Sequence, residues 1–208
     1  MKVTLISYSQ SPDGKSLQEL VGYCARVSNA DNQDKPADKL IEYLVKNKHW
    51  SPFEMVSICL EIETTRDIAR QILRHRSFSF QEFSQRYAIA DLNFETREAR
   101  LQDSKNRQNS IEVQDESFDF LWKVKQTEVA QTANRVYTWA INNGVAKEQA
   151  RVVLPEGMTP SRMYVNGTLR SWIHYIKLRS GNGTQKEHRE VAIECAKVIG
   201  QIYPIEKF

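Results

Sequence analysis

Residues 74–87 read Arg74-His75-Arg76-Ser77-Phe78-Ser79-Phe80-Gln81-Glu82-Phe83-Ser84-Gln85-Arg86-Tyr87. Four cationic or titratable side chains, one carboxylate and several hydroxyl groups fall within these fourteen residues. An arginine stays charged and offers phosphate a planar, two-pronged donor, and serine hydroxyls can add further hydrogen bonds. Gln71 lies three residues before Arg74, so the two are expected on one face of the preceding helix. The pattern predicts an anion site but does not identify the anion.

The composition is that of an ordinary globular protein. The chain has 208 residues, of which 40% are hydrophobic and 26% charged, and its net charge is +3. This total gives no case for a nucleic-acid partner, but arginines cluster around 66–86 and again at 151–179. Such clusters suit phosphate groups, and the simpler alternative is a solvated surface with ordinary ion pairs.

The three cysteines indicate neither a metal site nor a disulfide framework. Cys24, Cys59 and Cys195 are widely spaced, and no pair forms a Cys-x-x-Cys motif. The N-terminus does not resemble a signal peptide, and no apolar run approaches the roughly 20 residues that span a bilayer. We therefore expect a cytoplasmic protein without a bound metal ion, and no association with a membrane.

The periodicity of the remaining sequence predicts one α+β domain over residues 1–208, in which a mixed or antiparallel sheet is flanked by long helices. Ser16 and Glu19 form a capping box for the first helix. A polar stretch over 91–112 is expected to be a loop or lid, and the Ser/Phe/Gln stretch after the third helix is too irregular to assign. The expected strands are 2–8, about 54–64 and about 160–166, and the expected helices are 16–27, about 36–47, about 65–75, 117–143, a short helix up to 152, about 168–180 and about 185–202.

The long helix at 117–143 is expected to be amphipathic. Its apolar residues recur roughly at helical spacing, and Asn142-Asn143-Gly144 ends it with a residue suited to the left-handed C-cap. The residues that define the apolar face are Phe118, Leu121, Val124, Val129, Ala133, Val136 and Ala140.

Residues 74–87 also resemble the signature of the flavin-dependent thymidylate synthases. That signature is Arg-His-Arg followed, after seven further residues, by Ser, which corresponds here to 74–76 and Ser84. Other segments are similar to family elements in the same order, from about residue 20 to 195. They are Ala25-Arg26-Val27-Ser28, His49-Trp50-Ser51-Pro52-Phe53-Glu54, Ala150-Arg151-Val152-Val153-Leu154-Pro155, Arg170-Ser171-Trp172-Ile173-His174 with Leu178-Arg179, and Gln185 with Glu187.

The resemblance implies a thymidylate synthase-complementing fold and the methylation of dUMP to dTMP. It implies FAD as the cofactor, NADPH as the reductant and 5,10-methylenetetrahydrofolate as the carbon donor. No covalent protein nucleophile is expected, because in this family the cofactors carry the chemistry and the protein binds and orients them. The family is a homotetramer whose active sites are built from several subunits. Since the chain has no Gly-x-Gly-x-x-Gly fingerprint, FAD is not expected in a Rossmann unit.

The resemblance also assigns roles to individual residues. Arg179 is the expected catalytic residue, whose guanidinium would contact the uracil and stabilise negative charge on the ring. The expected dUMP ligands are Gln71, Ile72, Leu73, Arg74, Glu82, Phe83, Ser84, Gln85, Arg86, Arg151 and Arg179. The expected FAD ligands are Ser51, Arg74, His75, Arg76, Glu82, Thr168, Leu169, Arg170 and His174.

Several of these assignments have simpler alternatives. Arg179 could instead offset a helix dipole, and Arg151 could form an ion pair with Glu148 three residues earlier. Ile72 and Leu73 are better suited to the core. The sequence also departs from the family at three positions, which leaves individual flavin contacts open. Met55 stands where histidine often follows Phe-Glu, and Gln81 and Thr168 stand where asparagine is usual.

Two other functions fit parts of the sequence. Phe78, Phe80 and Phe83 among basic residues would suit an RNA-binding module, although that does not account for the ordered set of family elements. The other is a family member that binds nucleotide and flavin without catalysis.

Overall fold

The computed structural model describes residues 1–204, and a four-stranded antiparallel sheet forms its centre. The strands are β1 (Lys2–Tyr8), β2 (Ser57–Thr65), β3 (Phe78–Glu82) and β6 (Pro160–Thr168), in the order β1-β2-β6-β3. Every neighbouring pair is antiparallel. The sheet and its helices confirm the predicted α+β class.

The helices are α1 (Leu17–Ala25), α2 (Asp38–Lys46), α3 (Arg66–Ile72), α4 (Glu116–Asn142), α5 (Lys147–Ala150), α6 (Leu169–Arg179) and α7 (Lys186–Gly200). Short 3-10 helices cover Ala30–Asn32, Ser51–Glu54 and Arg151–Val153. The predicted capping box is present, because the Ser16 side chain accepts from the Glu19 amide and Glu19 accepts from the Ser16 amide. The predicted strands and helices are thus confirmed in kind, with small differences at their ends.

The core lies between one face of the sheet and the helices α6 and α7. Alternate residues of β2, such as Ile58, Leu60 and Ile62, are fully buried, as expected for a strand with one covered face. β6 leads directly into α6, whose N-cap Thr168 accepts a hydrogen bond from the Ser171 amide at 3.3 Å. On the next turn, Trp172 Nε1 donates to the Ile58 carbonyl at 3.0 Å and joins α6 to β2.

Two irregular segments of the sequence contain strands. The Ser/Phe/Gln stretch, which the sequence left unassigned, contains β3, an edge strand that pairs with β6. Its alternation covers only five residues, with Phe78 buried and Ser79 and Gln81 exposed, and its short length hid the pattern. The segment 91–112, expected to be a loop or lid, contains the hairpin of β4 (Arg100–Gln102) and β5 (Ser110–Glu112), so the expectation is wrong for these strands.

The long helix α4 is present, but much of its predicted apolar face is exposed. Ala133 and Ala140 are buried, together with Gln126 and Tyr137. Leu121 and Val129 are about half exposed, at 53% each. A second apolar stripe therefore runs beside the buried one, and it comprises Phe118, Leu121, Trp122, Val129, Val136 and Trp139.

None of the helices within residues 1–204 is long and apolar enough to cross a membrane. The prediction of one domain over 1–208 stays a prediction, and its last four residues lie outside the described part of the chain.

The contact between Gly167 of β6 and Phe78 of β3 gives a test of the sheet. A Cβ added at Gly167 would overlap the Phe78 ring, which itself packs against Trp172 with ring centroids 4.6 Å apart. We expect Gly167→Ala to lower the free energy of unfolding by about 1–3 kcal/mol, because the packed ring has to move.

The matched control is Gly200→Ala at the end of α7, where an added Cβ meets open space. This substitution should leave stability unchanged or raise it slightly. Urea unfolding followed by circular dichroism compares the two variants, and equal midpoints would contradict the proposed Phe78 contact.

Candidate active site

The Arg-His-Arg segment lies in the turn between α3 and β3. Helix α3 ends at Ile72, so Arg74 lies beyond the helix. The prediction that Gln71 and Arg74 share a helix face is therefore wrong. Ile72 is buried and Leu73 packs against the core, which confirms their expected place there and leaves only their backbone for a ligand. The hydroxyl of Ser171 on α6 donates to the Ser77 carbonyl at 3.2 Å and holds the turn against α6.

A hydrogen bond between Arg179 and His75 joins the end of α6 to this turn. The Nε of Arg179 donates to Nε2 of His75 at 2.9 Å. Because this histidine nitrogen accepts, His75 is neutral in this arrangement. The bond uses only Nε–H of Arg179, so the two terminal nitrogens of the guanidinium are left for other contacts.

The surroundings of His75 favour its neutral form. Its ring stands edge-on to Tyr175, with centroids 4.9 Å apart, and lies near Phe78 at 6.5 Å. Burial lowers the pKa of His75, and the positive charge of Arg179 lowers it further. Both effects preserve the lone pair that accepts from Arg179.

Behind His75 lies a partly buried chain of hydrogen-bonded side chains that the sequence analysis missed. His188 is fully buried. Its Nε2 is 3.1 Å from the Tyr175 hydroxyl and its Nδ1 is 3.1 Å from Oε1 of Gln71. Nε2 of Gln71 then donates to Oε1 of Gln185 at 2.8 Å, and Gln185 donates to Glu187 at 2.9 Å. The sequence held one signal for this chain, since His188 follows Gln185 by three residues on a helix.

Further predicted flavin ligands lie at the other end of α6. Arg170 forms an ion pair with Glu54, and the His174 ring stands edge-on to Trp50 at 4.8 Å. Ser51 is exposed at the start of the same 3-10 helix as Glu54. Burial lowers the pKa of His174, with smaller contributions from Arg170 and Lys177. The Leu169 side chain is fully buried, so only its backbone could touch a ligand.

The donor set around α6 fits a flavin dinucleotide. The guanidinium groups of Arg74 and Arg76 are exposed and form no hydrogen bond or ion pair with any other part of residues 1–204. A diphosphate needs such uncompensated cations. Arg170 and His174, four residues apart on α6, add an aromatic ring and a guanidinium on one helix face, although the guanidinium is already paired with Glu54. These residues could therefore hold FAD.

The remaining predicted nucleotide ligands form a second group, near α5. Arg86 Nε pairs with the Glu148 carboxylate at 3.3 Å. Arg151 Nε donates to the Glu148 backbone carbonyl at 3.3 Å, so the alternative of an Arg151–Glu148 ion pair is wrong because Arg86 occupies that carboxylate. A cavity of about 330 Å³ lies here, lined by Arg66, Arg70, Gln85, Glu148, Gln149, Arg151, Val152, Leu154 and Glu156.

Glu82, Phe83 and Ser84 connect this second group to the sheet. Glu82 accepts from the Ser161 hydroxyl at 2.7 Å and lies 3.5 Å from Arg66. The Phe83 amide donates to the Arg162 carbonyl at 2.9 Å, and the Ser84 hydroxyl accepts from the Arg86 amide at 3.3 Å. These contacts fix the backbone that carries the predicted ligands.

The two groups lie at opposite ends of β3. Phe78 begins the strand beside the turn with His75, and Glu82 ends it beside Arg66. Four residue steps of an extended strand cover roughly 13 Å. Within one chain, Gln71, Arg74 and Arg179 therefore lie at the Phe78 end of β3. Ser84, Arg86 and Arg151 lie at the Glu82 end, near α5.

Comparisons with known proteins agree on one family. The family model described as thymidylate synthase complementing protein matches residues 4–205. The chain is 46% identical over 189 residues to a probable flavin-dependent thymidylate synthase of Paramecium bursaria Chlorella virus 1, covering 90% of this chain and 87% of that one. It is 47% identical over 194 residues to a flavin-dependent thymidylate synthase of Synechocystis sp., covering 93% and 87%.

A solved structure shows the same architecture. The UMP/dUMP methylase PolB from Streptomyces cacaoi, bound with 5-Br dUMP, matches with a TM-score of 0.84 at 26% identity. The match covers 99% of this chain and 92% of that one.

The buried His188 predicts a loss of stability in acid. Burial lowers its pKa from 6.5 to about 4, with smaller contributions from Arg179 and His75. Between these two pH values the unfolded chain binds a proton at this position and the native chain does not. Stability should therefore fall as the pH drops through this window, by about 3 kcal/mol in total from His188.

Denaturant unfolding at several pH values measures this contribution. The control is His188→Asn, which removes the titrating ring, so the difference between the two proteins should shrink as the pH falls from 6.5 to 4. Parallel stability curves across that window would show that His188 does not stay neutral in the folded protein.

Proposed function

This chain belongs to the flavin-dependent thymidylate synthase family, and from that premise we propose that it methylates dUMP to dTMP with FAD as its cofactor. The assignment of Arg179 as the catalytic residue rests on the surroundings of its guanidinium. Its guanidinium is half-buried, is held by a neutral histidine and pairs with no carboxylate of residues 1–204. An oriented cation of this kind stabilises negative charge on a bound ring.

Arg179 suits the uracil for geometric reasons as well. Its Nε is fixed by His75, so the two terminal nitrogens present parallel N–H groups to one side. A planar pair of donors matches an amide-like edge, and it stays charged at every physiological pH. In this proposal Arg179 stabilises the anionic uracil that attacks the carbon donor.

When bound, the flavin supplies the hydride that completes the reduction of the transferred carbon. Arg74, Arg76 and Arg170 hold its phosphates in this proposal, and His174 and Ser51 orient it, with the Thr168 and Leu169 backbone beside them. His75 belongs to the same group, whereas Glu82, the remaining expected flavin ligand, lies with the second group near α5. The protein itself contributes binding, orientation and exclusion of water.

We infer the two co-substrates from the resemblance to the family. A methylene group must gain two electrons to become a methyl group, and the resemblance implies that a separate reductant supplies these electrons through the flavin. In this proposal 5,10-methylenetetrahydrofolate is the carbon donor, and NADPH is the reductant. The three free cysteines are compatible with the reducing cytoplasm expected for such an enzyme.

The division of the nucleotide ligands supports a homotetramer with shared active sites. Since Arg179 and Arg151 belong to two separate groups of one chain, one dUMP molecule would reach both if a second subunit supplied Arg151, Arg86 and Ser84. The exposed apolar stripe of α4 supports the same proposal, because contiguous exposed apolar residues often mark a contact with another protein chain.

Substitution of Arg179 tests the central residue. We expect Arg179→Ala to lower kcat by about 10²- to 10³-fold, as for the loss of other oriented donors at a developing charge. The flavin absorption of the purified variant should be unchanged. Arg162→Ala is the matched control, because Arg162 is an exposed arginine on β6, and it should retain full dTMP formation.

Two results would contradict this proposal. If Arg179→Ala forms dTMP at the wild-type rate, the residue has no part in catalysis. If the wild-type protein is colourless and takes up no FAD, the flavin-dependent activity is wrong, and RNA binding by the arginines becomes the account to test.

Mixing two inactive variants tests the shared site. Arg179→Ala and Arg151→Ala each damage a different group, so a mixed tetramer would contain some sites with both arginines intact. We expect dTMP formation to recover after co-refolding, up to about a quarter of the wild-type rate for random mixing of symmetric assemblies. No recovery, with subunit exchange verified by native mass spectrometry, would place both arginines of one site in the same chain.

A further inference from the structure

The partly buried chain of side chains from Tyr175 to Glu187 has only one consistent direction of hydrogen bonding. A carboxylate such as Glu187 can only accept, so the Gln185 amide nitrogen faces it and the Gln185 oxygen faces Gln71. That oxygen requires a donor, so it is the Gln71 amide nitrogen that points to Gln185, in agreement with the distance of 2.8 Å. The Gln71 oxygen is thereby directed toward His188.

The same logic fixes the tautomer of His188. The Gln71 oxygen can only accept, so Nδ1 of His188 carries the hydrogen across the 3.1 Å contact. In the neutral ring Nε2 then has a lone pair, and it accepts from the Tyr175 hydroxyl at 3.1 Å. His188 and Tyr175 are both buried, so water does not compete for these bonds.

The electrostatic surroundings keep the ring neutral. His188 faces His75 of the α3–β3 turn, with ring centroids 6.3 Å apart. Burial lowers its pKa to about 4, and the positive charge of Arg179 adds to this effect. Across the physiological pH range the donor at Nδ1 and the acceptor at Nε2 therefore stay as assigned.

We propose that His188, itself held by Tyr175, is a positioning residue that fixes the side-chain amide of Gln71 for binding dUMP. With one amide hydrogen committed to Gln185 and the oxygen committed to His188, Gln71 offers its second N–H to an acceptor oxygen of the nucleotide. A rotated amide would set two oxygens against each other at Gln185, so His188 and Gln185 together exclude the wrong orientation. This inference rests on the proposed function, in which Gln71 is a dUMP ligand.

A double-mutant cycle tests the coupling between His188 and Gln71. The affinity for dUMP is read from the change in flavin absorption as dUMP is added to the FAD-loaded protein. We expect His188→Leu to weaken dUMP binding by about tenfold, because the Gln71 amide loses its orientation. His188→Leu with Gln71→Ala should bind dUMP no more weakly than Gln71→Ala alone, since coupled residues are not additive. The KM for methylene-folate and the FAD content should not change.

Conservative variants separate positioning from packing. His188→Asn keeps a donor near the position of Nδ1, so its dUMP affinity should stay within about threefold of wild type. Tyr175→Phe removes one buried hydroxyl and should weaken dUMP binding by about fivefold. The matched control is Tyr203→Phe, which alters another buried tyrosine of the same core and should leave dUMP affinity unchanged. If His188→Leu does not fold, His188→Asn and Tyr175→Phe still test the proposal.

Three outcomes would overturn the proposal. The first is that the losses of dUMP affinity in His188→Leu and Gln71→Ala add up in the double variant. The second is that Tyr175→Phe binds dUMP as tightly as wild type. The third is that His188→Asn binds dUMP as weakly as His188→Leu. A failure of the proposed function is distinct, because the wild-type protein itself would then show no response to dUMP and form no dTMP.

Discussion

The site depends on a hydrogen bond in which Arg179 donates to His75 at 2.9 Å. An arginine can be held by a histidine only while that histidine is neutral, because two cations would repel each other. The packing of His75 among Tyr175, Phe78 and His188 shields it partly from water and favours that state. The packing of the core at this point therefore holds the Arg179 guanidinium in one orientation and leaves its positive charge uncompensated.

That constraint explains why the site gathers at the ends of α6 and not in a cavity within one chain. The antiparallel register places Gly167 opposite Phe78, which brings the α3–β3 turn to the start of α6. Arg74, Arg76 and Arg179 then lie close in the fold without carboxylate partners among residues 1–204. Bound anions would relieve their mutual repulsion, and in the proposed function these anions are the flavin phosphates and the ionised uracil. The α5 group, by contrast, already contains Glu148, which pairs with Arg86 and leaves Arg151 free for a ligand.

The sequence predicted the structural features that depend on neighbouring residues or on motifs. It failed for the features that depend on contacts between residues distant in the chain. The capping box of Ser16 and Glu19 and the bounds of α4 follow from interactions within a few residues. The strand β3 was missed because its role depends on pairing with β6, about eighty residues away in the chain. The partner of Glu148 was likewise assigned to the nearest arginine, whereas the fold brings Arg86 to it. The motif residues were found by resemblance, but the buried pair Tyr175 and His188 was not. Tyr175 falls at an unspecified position of the α6 element, His188 lies just beyond Glu187, and only the packing of α6 on α7 joins the two.

A crystal structure of the protein with both FAD and dUMP tests the central claim most directly. The account predicts that the terminal nitrogens of Arg179 lie within hydrogen-bonding distance of the uracil, with Nε still bound to His75. It also predicts that the phosphate of the same nucleotide contacts Arg151 of a second subunit. A nucleotide held entirely by one chain, or an Arg179 that turns away from the uracil, would contradict the account.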